Sequence, residues 1–312
     1  MKLPHPNPVH PDYMADPFVL RHGGAYTAYG TAPADPSTGR VFPMLRSTDF
    51  VNWTRLGGAL VPAPGARGAA HWAPEVSEQD GLFIMYYSSA LGSEESHRIR
   101  TASATSPAGP FTGIGRVLLP DEGFTIDASP FRDPVTGRWY LFFAKDFLDG
   151  PRPGTGAAVV PLADDRLTPL APPVVVARPS ADWQIYERNR SHYGREWPAW
   201  HTVEGPFTVH HDGRYYCFYS GGAWHGPQYG VACAVADSPL GPWTDLGANG
   251  PNVLRGIPGR MIGPGHNSVV CGPDGCDYMV YHAWDLDMTA RRMWISPLEW
   301  TPNGPKCTPE AG

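Results

Sequence analysis

The sequence predicts an all-β fold, a five-bladed β-propeller with four antiparallel strands in each blade. The first observation is an internal repeat. An apolar strand, a turn containing Gly or Asp-Gly and an aromatic strand follow one another five times, from Ala15, Ala73, Asp127, Glu204 and His266. The second is that no segment has a 3.6-residue apolar period over ten or more residues, as an amphipathic helix would. Units of about 60 residues, each long enough for four short strands, are typical of blades arranged in a ring.

Two further strands follow the first hairpin of each repeat, as short apolar runs bounded by Gly, Pro, Asn and Asp indicate. They are expected to start at Val41 and Asn52, His97 and Pro110, Thr155 and Leu167, Tyr229 and Pro242, and Arg291 and Leu298. The stretch from Ala177 to Val203, rich in Arg, Trp and His, is expected to be a long loop that blocks one end of a cleft. Residues 1–312 are expected to form a single domain.

The composition excludes several classes of partner. A net charge of -6 without a basic run argues against nucleic acid and anionic membranes. No apolar run has transmembrane length, and the first residues lack the apolar segment of a signal peptide. Five cysteines, an odd number without zinc-type spacing, indicate reduced thiols. A cytoplasmic location is therefore expected, or a secreted one if a signal has been removed. The oligomeric state is left open.

Carboxylates stand at the heads of the first strands. Asp16, Asp127 and Glu204 are expected at equivalent positions of blades one, three and four, where a ring brings them to one mouth of its channel. Like charges gathered away from bulk water cannot all ionise normally, so at least one pKa is raised. A protonated acid beside an ionised one is the machinery of glycoside hydrolysis. Each acid alone could instead be a turn residue.

Five short motifs occur in the order ADPFV, HWAPEV, IDASPF, VEGPF and GPGHNSVV, and this set resembles glycoside hydrolase family 43. The resemblance implies a five-bladed propeller that hydrolyses arabinose- and xylose-containing glycans with inversion. It implies that Asp16 is the general base, that Glu204 is the general acid, and that Asp127 orients the acid and tunes its pKa. It also places one arginine, Arg291 or Arg292, towards the sugar; strand alternation allows only one of them to point inwards.

Other residues are expected around the substrate. Trp72 could stack on a sugar face, although blade packing is the alternative for any tryptophan. Glu75 is offset along its strand and is expected to contact substrate or support the structure, and His225 to shape the leaving-group side. No cofactor is expected for the chemistry. The resemblance implies that His266 faces calcium or water in the channel; a buried, hydrogen-bonded histidine is the alternative.

The leading functional prediction is an inverting α-L-arabinofuranosidase that releases L-arabinofuranose from oligosaccharides of arabinan or arabinoxylan. A β-xylosidase and an endo-arabinanase are alternatives within the same resemblance, because the sequence does not separate these sugars or exo from endo action. An alternative of a different class is a non-catalytic sugar-binding propeller, which would keep the aromatic residues and lose the acids. The expected partner is therefore an oligosaccharide.

Overall fold

A computed structural model describes residues 6–63, 66, 69–90 and 96–309, and it confirms the five-bladed propeller. Blade one contains β1 (Ala15–His22), β2 (Ala25–Thr31), β3 (Val41–Ser47) and β4 (Thr54–Val61). Blade two contains β5 (Ala70–Gln79), β6 (Leu82–Ala90), β7 (Arg98–Ala104) and β8 (Phe111–Val117). Blade three contains β9 (Thr125–Arg132), β10 (Trp139–Phe147), β11 (Gly154–Leu162) and β12 (Val174–Ala177).

Blades four and five complete the ring. A 3-10 turn (Asp182–Gln184) and β13 (Ile185–His192) precede blade four, which contains β14 (Arg195–His211), β15 (Arg214–Gly221), β16 (Gly230–Ala236) and β17 (Thr244–Asp245). Blade five contains β18 (Ile262–Cys271), β19 (Asp277–Trp284), β20 (Arg291–Thr301) and β21 (Gly304–Cys307). Within the described ranges, no helix is long and apolar enough to cross a membrane.

The ring closes through contacts between the first strands of neighbouring blades. These inner strands, β1, β5, β9, β14 and β18, contact one another in that order, and β18 returns to β1. The start of the chain reinforces the closure because it lies along β20 of the last blade. Val9 N–H donates to Met293 O (3.0 Å) and Met14 N–H to Arg291 O (2.9 Å). Backbone hydrogen bonds thus join the segment before the first blade to the last blade.

The hydrophobic core is divided between the blades. Among the described residues, one cluster of buried side chains fills each interface between adjacent blades. Leu141 and Phe143 of blade three, for example, pack with Ile84 and Tyr86 of blade two. Each sheet therefore buries both of its faces against neighbours, which explains why its strands read as nearly continuous apolar runs.

Three details differ from the sequence prediction. The stretch from Ala177 to Val203 is not an irregular loop, because most of it forms the hairpin β13–β14. Tyr193 and Gly194 both have positive φ at its two-residue turn, as a tight hairpin with the natural strand twist requires. The fourth strand of blade three is β12 rather than a strand near Leu167. The segment from Leu298 continues β20, and the fourth strand of blade five is β21.

The interface clusters predict where the fold is sensitive to truncation. Leu141→Ala should lower the free energy of unfolding by about 2–5 kcal/mol, because its buried side chain would leave a cavity between blades two and three. The matched control is Leu170→Ala, a residue that is 63% exposed, for which the change should stay within about 0.5 kcal/mol. Urea denaturation followed by tryptophan fluorescence measures both, and equal losses would contradict this account.

Candidate active site

Each inner strand has a bulge at an equivalent place, where its pairing with the second strand is interrupted. These five bulge residues have a left-handed backbone, with φ of 50° at Asp16, 48° at Ala73, 57° at Asp127, 57° at Gly205 and 49° at His266. Each lies at a register shift of its strand. A left-handed backbone is unfavourable for residues other than glycine, so these conformations need support from their surroundings.

The support comes from the neighbouring blade. Four bulge residues donate their backbone N–H to a side chain on the second strand of the preceding blade. The bonds run from Ala73 to Thr31 Oγ1 (2.8 Å), Asp127 to Ser88 Oγ (2.9 Å), His266 to Ser220 Oγ (2.7 Å) and Asp16 to His282 Nδ1 (3.1 Å). We call this ring of bonds the bulge belt. It fixes Asp16, Asp127 and His266 at the same level around the axis.

Glu204 does not occupy the position that the sequence predicted for it. Gly205, and not Glu204, is the bulge residue of blade four, so Glu204 stands one residue earlier than Asp16 and Asp127. It is paired with Ser220 as Ala15 is paired with Thr31. Glu75 is offset in the other direction, two residues beyond Ala73, as the sequence indicated.

The three acids nevertheless line one pocket of about 840 Å³. Trp72, Ile126, Trp224, His266 and Arg291 line it with them. Blades one and two contribute a group of small apolar residues to the lining, including Ala32, Pro33, Ala34, Pro62 and Ala70. Among the described residues, none from 177–203 lines this pocket, so the expectation that this insertion blocks the site is wrong: its hairpin is paired beside blade four.

Asp16 lies among nitrogen atoms. Its Oδ1 is 3.4 Å from His266 Nδ1, 3.3 Å from His282 Nδ1 and 3.5 Å from Arg291 Nη1. Burial by itself would raise the pKa of Asp16, but His266 and the Arg291 guanidinium outweigh it and hold that pKa below its usual value. The Asp16 side chain is therefore ionised at neutral pH, although it is only 10% exposed.

Glu204 has the opposite environment. Burial raises its pKa to about 7, and the negative charge of Asp16 adds to the shift. Tyr229 OH donates to Glu204 Oε1 at 2.7 Å, which favours the ionised form and limits the rise. The Tyr229 ring comes close to the backbone at Gly265, where a Cβ atom would lie only 2.2 Å from it. Glycine at that position makes room for the tyrosine.

Asp127 is surrounded by the other carboxylates. Burial, Glu204, Asp16 and Glu75 all raise its pKa well above the usual value, while the Gly205 N–H lowers it by donating to Asp127 Oδ2 at 3.0 Å. Glu75 is also buried, and burial raises its pKa strongly. Glu75 does not line the pocket. Its place next to Asp127 fits the structural alternative rather than contact with substrate.

The structure separates the two adjacent arginines. Arg291 lines the pocket, donates to Tyr13 OH (3.0 Å) and lies over the Trp224 ring at 4.4 Å. Arg292 instead pairs with Asp285 at 3.3 Å and lies outside the pocket lining. Strand alternation explains the difference, since neighbouring residues on β20 point to opposite faces.

The predicted aromatic and histidine contacts divide in the same way. Trp72 lines the pocket and stacks on His97, with ring centroids 3.6 Å apart. His225 is exposed, packs against Tyr186 and Trp224, and does not line the pocket. Sequence reasoning gave no role to Tyr229 or Tyr13 and no particular role to His282. The repeat contained a signal for His282. This residue follows the aromatic run of its second strand, as Thr31, Ser88 and Ser220 do in their blades.

The residues around His266 are a poor set for calcium. Calcium prefers six to eight oxygen ligands. The charged and imidazole groups close to His266 are the Asp16 carboxylate, the His282 ring and the Arg291 guanidinium. In the described part of the chain, no group of three or more His, Cys, Asp or Glu residues could hold a metal ion. Calcium in the channel stays a prediction.

The chain is similar to known proteins over nearly its whole length. Residues 5–305 match the family described as glycosyl hydrolases family 43. The chain is 29% identical over 301 residues to the β-D-galactofuranosidase XynD of Aspergillus niger, covering 91% of this chain and 78% of that protein. It is 30% identical over 289 residues to an extracellular exo-α-(1→5)-L-arabinofuranosidase of Streptomyces chartreusis, covering 86% of this chain and 79% of that protein.

Solved structures of similar proteins have the same fold. The crystal structure of a thermostable family-43 glycoside hydrolase superimposes with a TM-score of 0.83 at 31% identity, covering 99% of both chains. Other matched proteins are named arabinan endo-1,5-α-L-arabinosidase and xylan β-1,4-xylosidase. Because the family match spans nearly the whole propeller, this chain belongs to glycoside hydrolase family 43.

Proposed function

We propose that this protein is an inverting glycoside hydrolase that releases L-arabinofuranose from oligosaccharides of arabinan or arabinoxylan. The observation that carries the proposal is a single pocket whose carboxylates have pKa values displaced in opposite directions. The pKa of Asp16 is held low, and that of Glu204 is raised to about 7. Two such groups can serve as general base and general acid at the same pH.

The proposed reaction uses these protonation states directly. Asp16 accepts a proton from a water molecule as the water oxygen attacks the anomeric carbon. Glu204 gives its proton to the glycosidic oxygen as the bond to the leaving sugar breaks. This inverting displacement needs a water between the base and the sugar, with the two carboxyl groups about 6.5–9.5 Å apart. Asp16 and Glu204 lie on β1 and β14, which are separated in the ring by β18, so they approach the pocket from different sides.

The choice of sugar rests on the relatives. Relatives from two Streptomyces species and from Cellvibrio japonicus are named exo-α-(1→5)-L-arabinofuranosidases, which supports arabinofuranose. The galactofuranosidase from Aspergillus niger makes another furanose an alternative, and the β-xylosidase and endo-arabinanase alternatives stay open. The same relatives give no support to the cytoplasmic location expected from the sequence, since three of them are named extracellular.

The first test compares sugars. Hydrolysis of 4-nitrophenyl α-L-arabinofuranoside, β-D-xylopyranoside and β-D-galactofuranoside is measured side by side, and proton NMR identifies the anomer formed first. We expect the arabinofuranoside to react fastest and its anomeric configuration to invert. Faster turnover of another sugar would change the substrate, and a retained configuration would contradict the roles given to the acids. No turnover of these compounds or of arabino-oligosaccharides would favour a sugar-binding propeller.

Removing the acid and the base should give different patterns. Asp16→Asn should lower kcat on every substrate by about 10²–10⁴. Glu204→Gln should cause a comparable loss on arabino-oligosaccharides and a much smaller one on the nitrophenyl glycoside, whose leaving group needs little protonation. Glu78→Gln, a change outside the pocket lining, is the matched control and should leave kcat unchanged. Equal losses of the Glu204 variant on both substrates would argue against a general acid.

The pH profile follows from the same shifts. Activity needs Asp16 ionised and Glu204 protonated, so kcat/KM should be level in mild acid and fall as pH rises through about 7. Tyr229→Phe removes a hydrogen bond that favours ionised Glu204, so the pKa of Glu204 should rise and the alkaline limb should move to higher pH. Tyr219→Phe, which loses a hydroxyl bonded to Asp245 away from the pocket, should not move it. A shift to lower pH in Tyr229→Phe would contradict the assignment.

The two arginines provide another matched pair. Arg291→Met removes a positive charge that favours the ionised form of Asp16. Because burial favours the protonated form, the pKa of Asp16 should rise in this variant. The acid limb of kcat/KM should then move towards neutral pH, with a loss of activity below it. Arg292→Met breaks the pair with Asp285 outside the pocket lining and should leave the acid limb in place. Similar profiles for both variants would mean that Arg291 does not act through Asp16.

A further inference from the structure

The bulge belt is built from equivalent residues, as the strand register shows. In each blade, the residue before the bulge residue is paired with a residue on the second strand. These second-strand positions are occupied by Thr31 opposite Ala15, Ser88 opposite Trp72, Ser220 opposite Glu204 and His282 opposite Gly265. Each of these four side chains accepts the N–H of the bulge residue in the next blade. The position is therefore an acceptor site in four of the five blades.

Blade three breaks the pattern. The residue paired with Ile126 is Ala144, which is fully buried and whose methyl group cannot accept a hydrogen bond. The bulge residue that it would serve, Gly205, donates its N–H to Asp127 Oδ2 at 3.0 Å instead. Between blades three and four, the second strand thus offers no acceptor at this position. There the Asp127 carboxylate, which lines the pocket, accepts the bulge N–H.

We propose that Ala144 is a positioning residue for the hydrolysis, because the acceptor missing from its side chain leaves the Gly205 N–H to hold the carboxylate of Asp127. This inference rests on the proposed function and on the role given there to the acids. Ala144 acts without touching substrate. A serine or threonine at this position would complete the belt and compete with Asp127 for the same hydrogen.

The bond matters because Asp127 has few other favourable partners among the residues that the structure describes. Its own N–H is held by Ser88, so its backbone is fixed, and the Gly205 N–H then fixes the direction of the side chain. The ionisable groups that act on Asp127 are Glu204, Asp16 and Glu75, all carboxylates that favour its protonated form. Arg291 acts on Glu204 and Asp16. Without the Gly205 N–H, the pKa of Asp127 would rise further, and more of the protein would carry neutral Asp127. Glu204 would then lose the influence of a neighbouring negative charge, so its own pKa would fall and less of the protein would carry protonated Glu204.

The test is Ala144→Ser, measured alone and combined with Asp127→Ala. In the otherwise unchanged protein, the serine should lower kcat roughly tenfold to a hundredfold, the range expected when a hydrogen bond that favours the ionised form of a carboxyl group is lost. The alkaline limb of kcat should move to lower pH, while KM changes little. In the Asp127→Ala background, the same serine should change kcat less than about twofold, because the interaction it disturbs is already absent.

Ala102→Ser is the matched control, since Ala102 is equally buried in the core between blades one and two. It should reduce stability by a similar amount and leave kcat and the pH profile unchanged. If Ala144→Ser does not fold, Ala144→Cys takes its place in the cycle, and its weaker acceptor should give a smaller loss that still depends on Asp127.

The outcomes separate this inference from the function on which it rests. Turnover by the unchanged protein, with an Ala144→Ser variant that folds and keeps full kcat, would overturn the positioning role alone. An equal loss with and without Asp127 would also overturn it, because Ala144 would then act elsewhere. A lack of turnover by the unchanged protein would instead remove the proposed function.

Discussion

The site depends on a hydrogen bond that the fold repeats around its axis. Every inner strand turns through a left-handed residue, and in four blades that residue is held by a side chain on the second strand of the preceding blade. The strain of the left-handed backbone and the packing of the blades are therefore coupled. Asp16, Asp127 and His266 owe their common level to this arrangement. The apolar clusters between blades stabilise the ring, while the belt determines where polar side chains enter its centre.

The side chains that accept the bulge N–H groups also influence the charges in the pocket. His282 Nδ1 accepts the Asp16 N–H and also lies 3.3 Å from Asp16 Oδ1, so the residue that supports the backbone adjoins the carboxylate. Burial lowers the pKa of His282 to about 4, so its ring is neutral and can accept the N–H. Arg291 supplies the fixed positive charge beside it. Arg291 also lowers the pKa of Glu204, but burial outweighs it, and Glu204 and Asp127 keep raised pKa values.

The shape of the pocket is uneven. Carboxylates, His266 and Arg291 occupy one part, and small apolar residues of blades one and two line another. The polar part can supply the chemistry, and the apolar part offers room and a dry surface to the rest of a substrate. The hairpin β13–β14, the largest insertion in the repeat, packs its Trp197 and Trp200 among its own side chains rather than towards this space.

The sequence by itself determined the number of blades, the family and the residues of the acid cluster. The apolar pattern, the Gly turns and the carboxylates at the strand heads are local features that repeat along the chain. The tertiary structure decided the one-residue offset of Glu204, the choice of Arg291 over Arg292, the exclusion of His225 and Glu75 from the pocket, and the contact of Tyr229 with Glu204. These depend on strand register and on neighbours from other blades. A register shift of one residue reverses the face to which a side chain points, and no local pattern records which residue of the next blade will lie opposite.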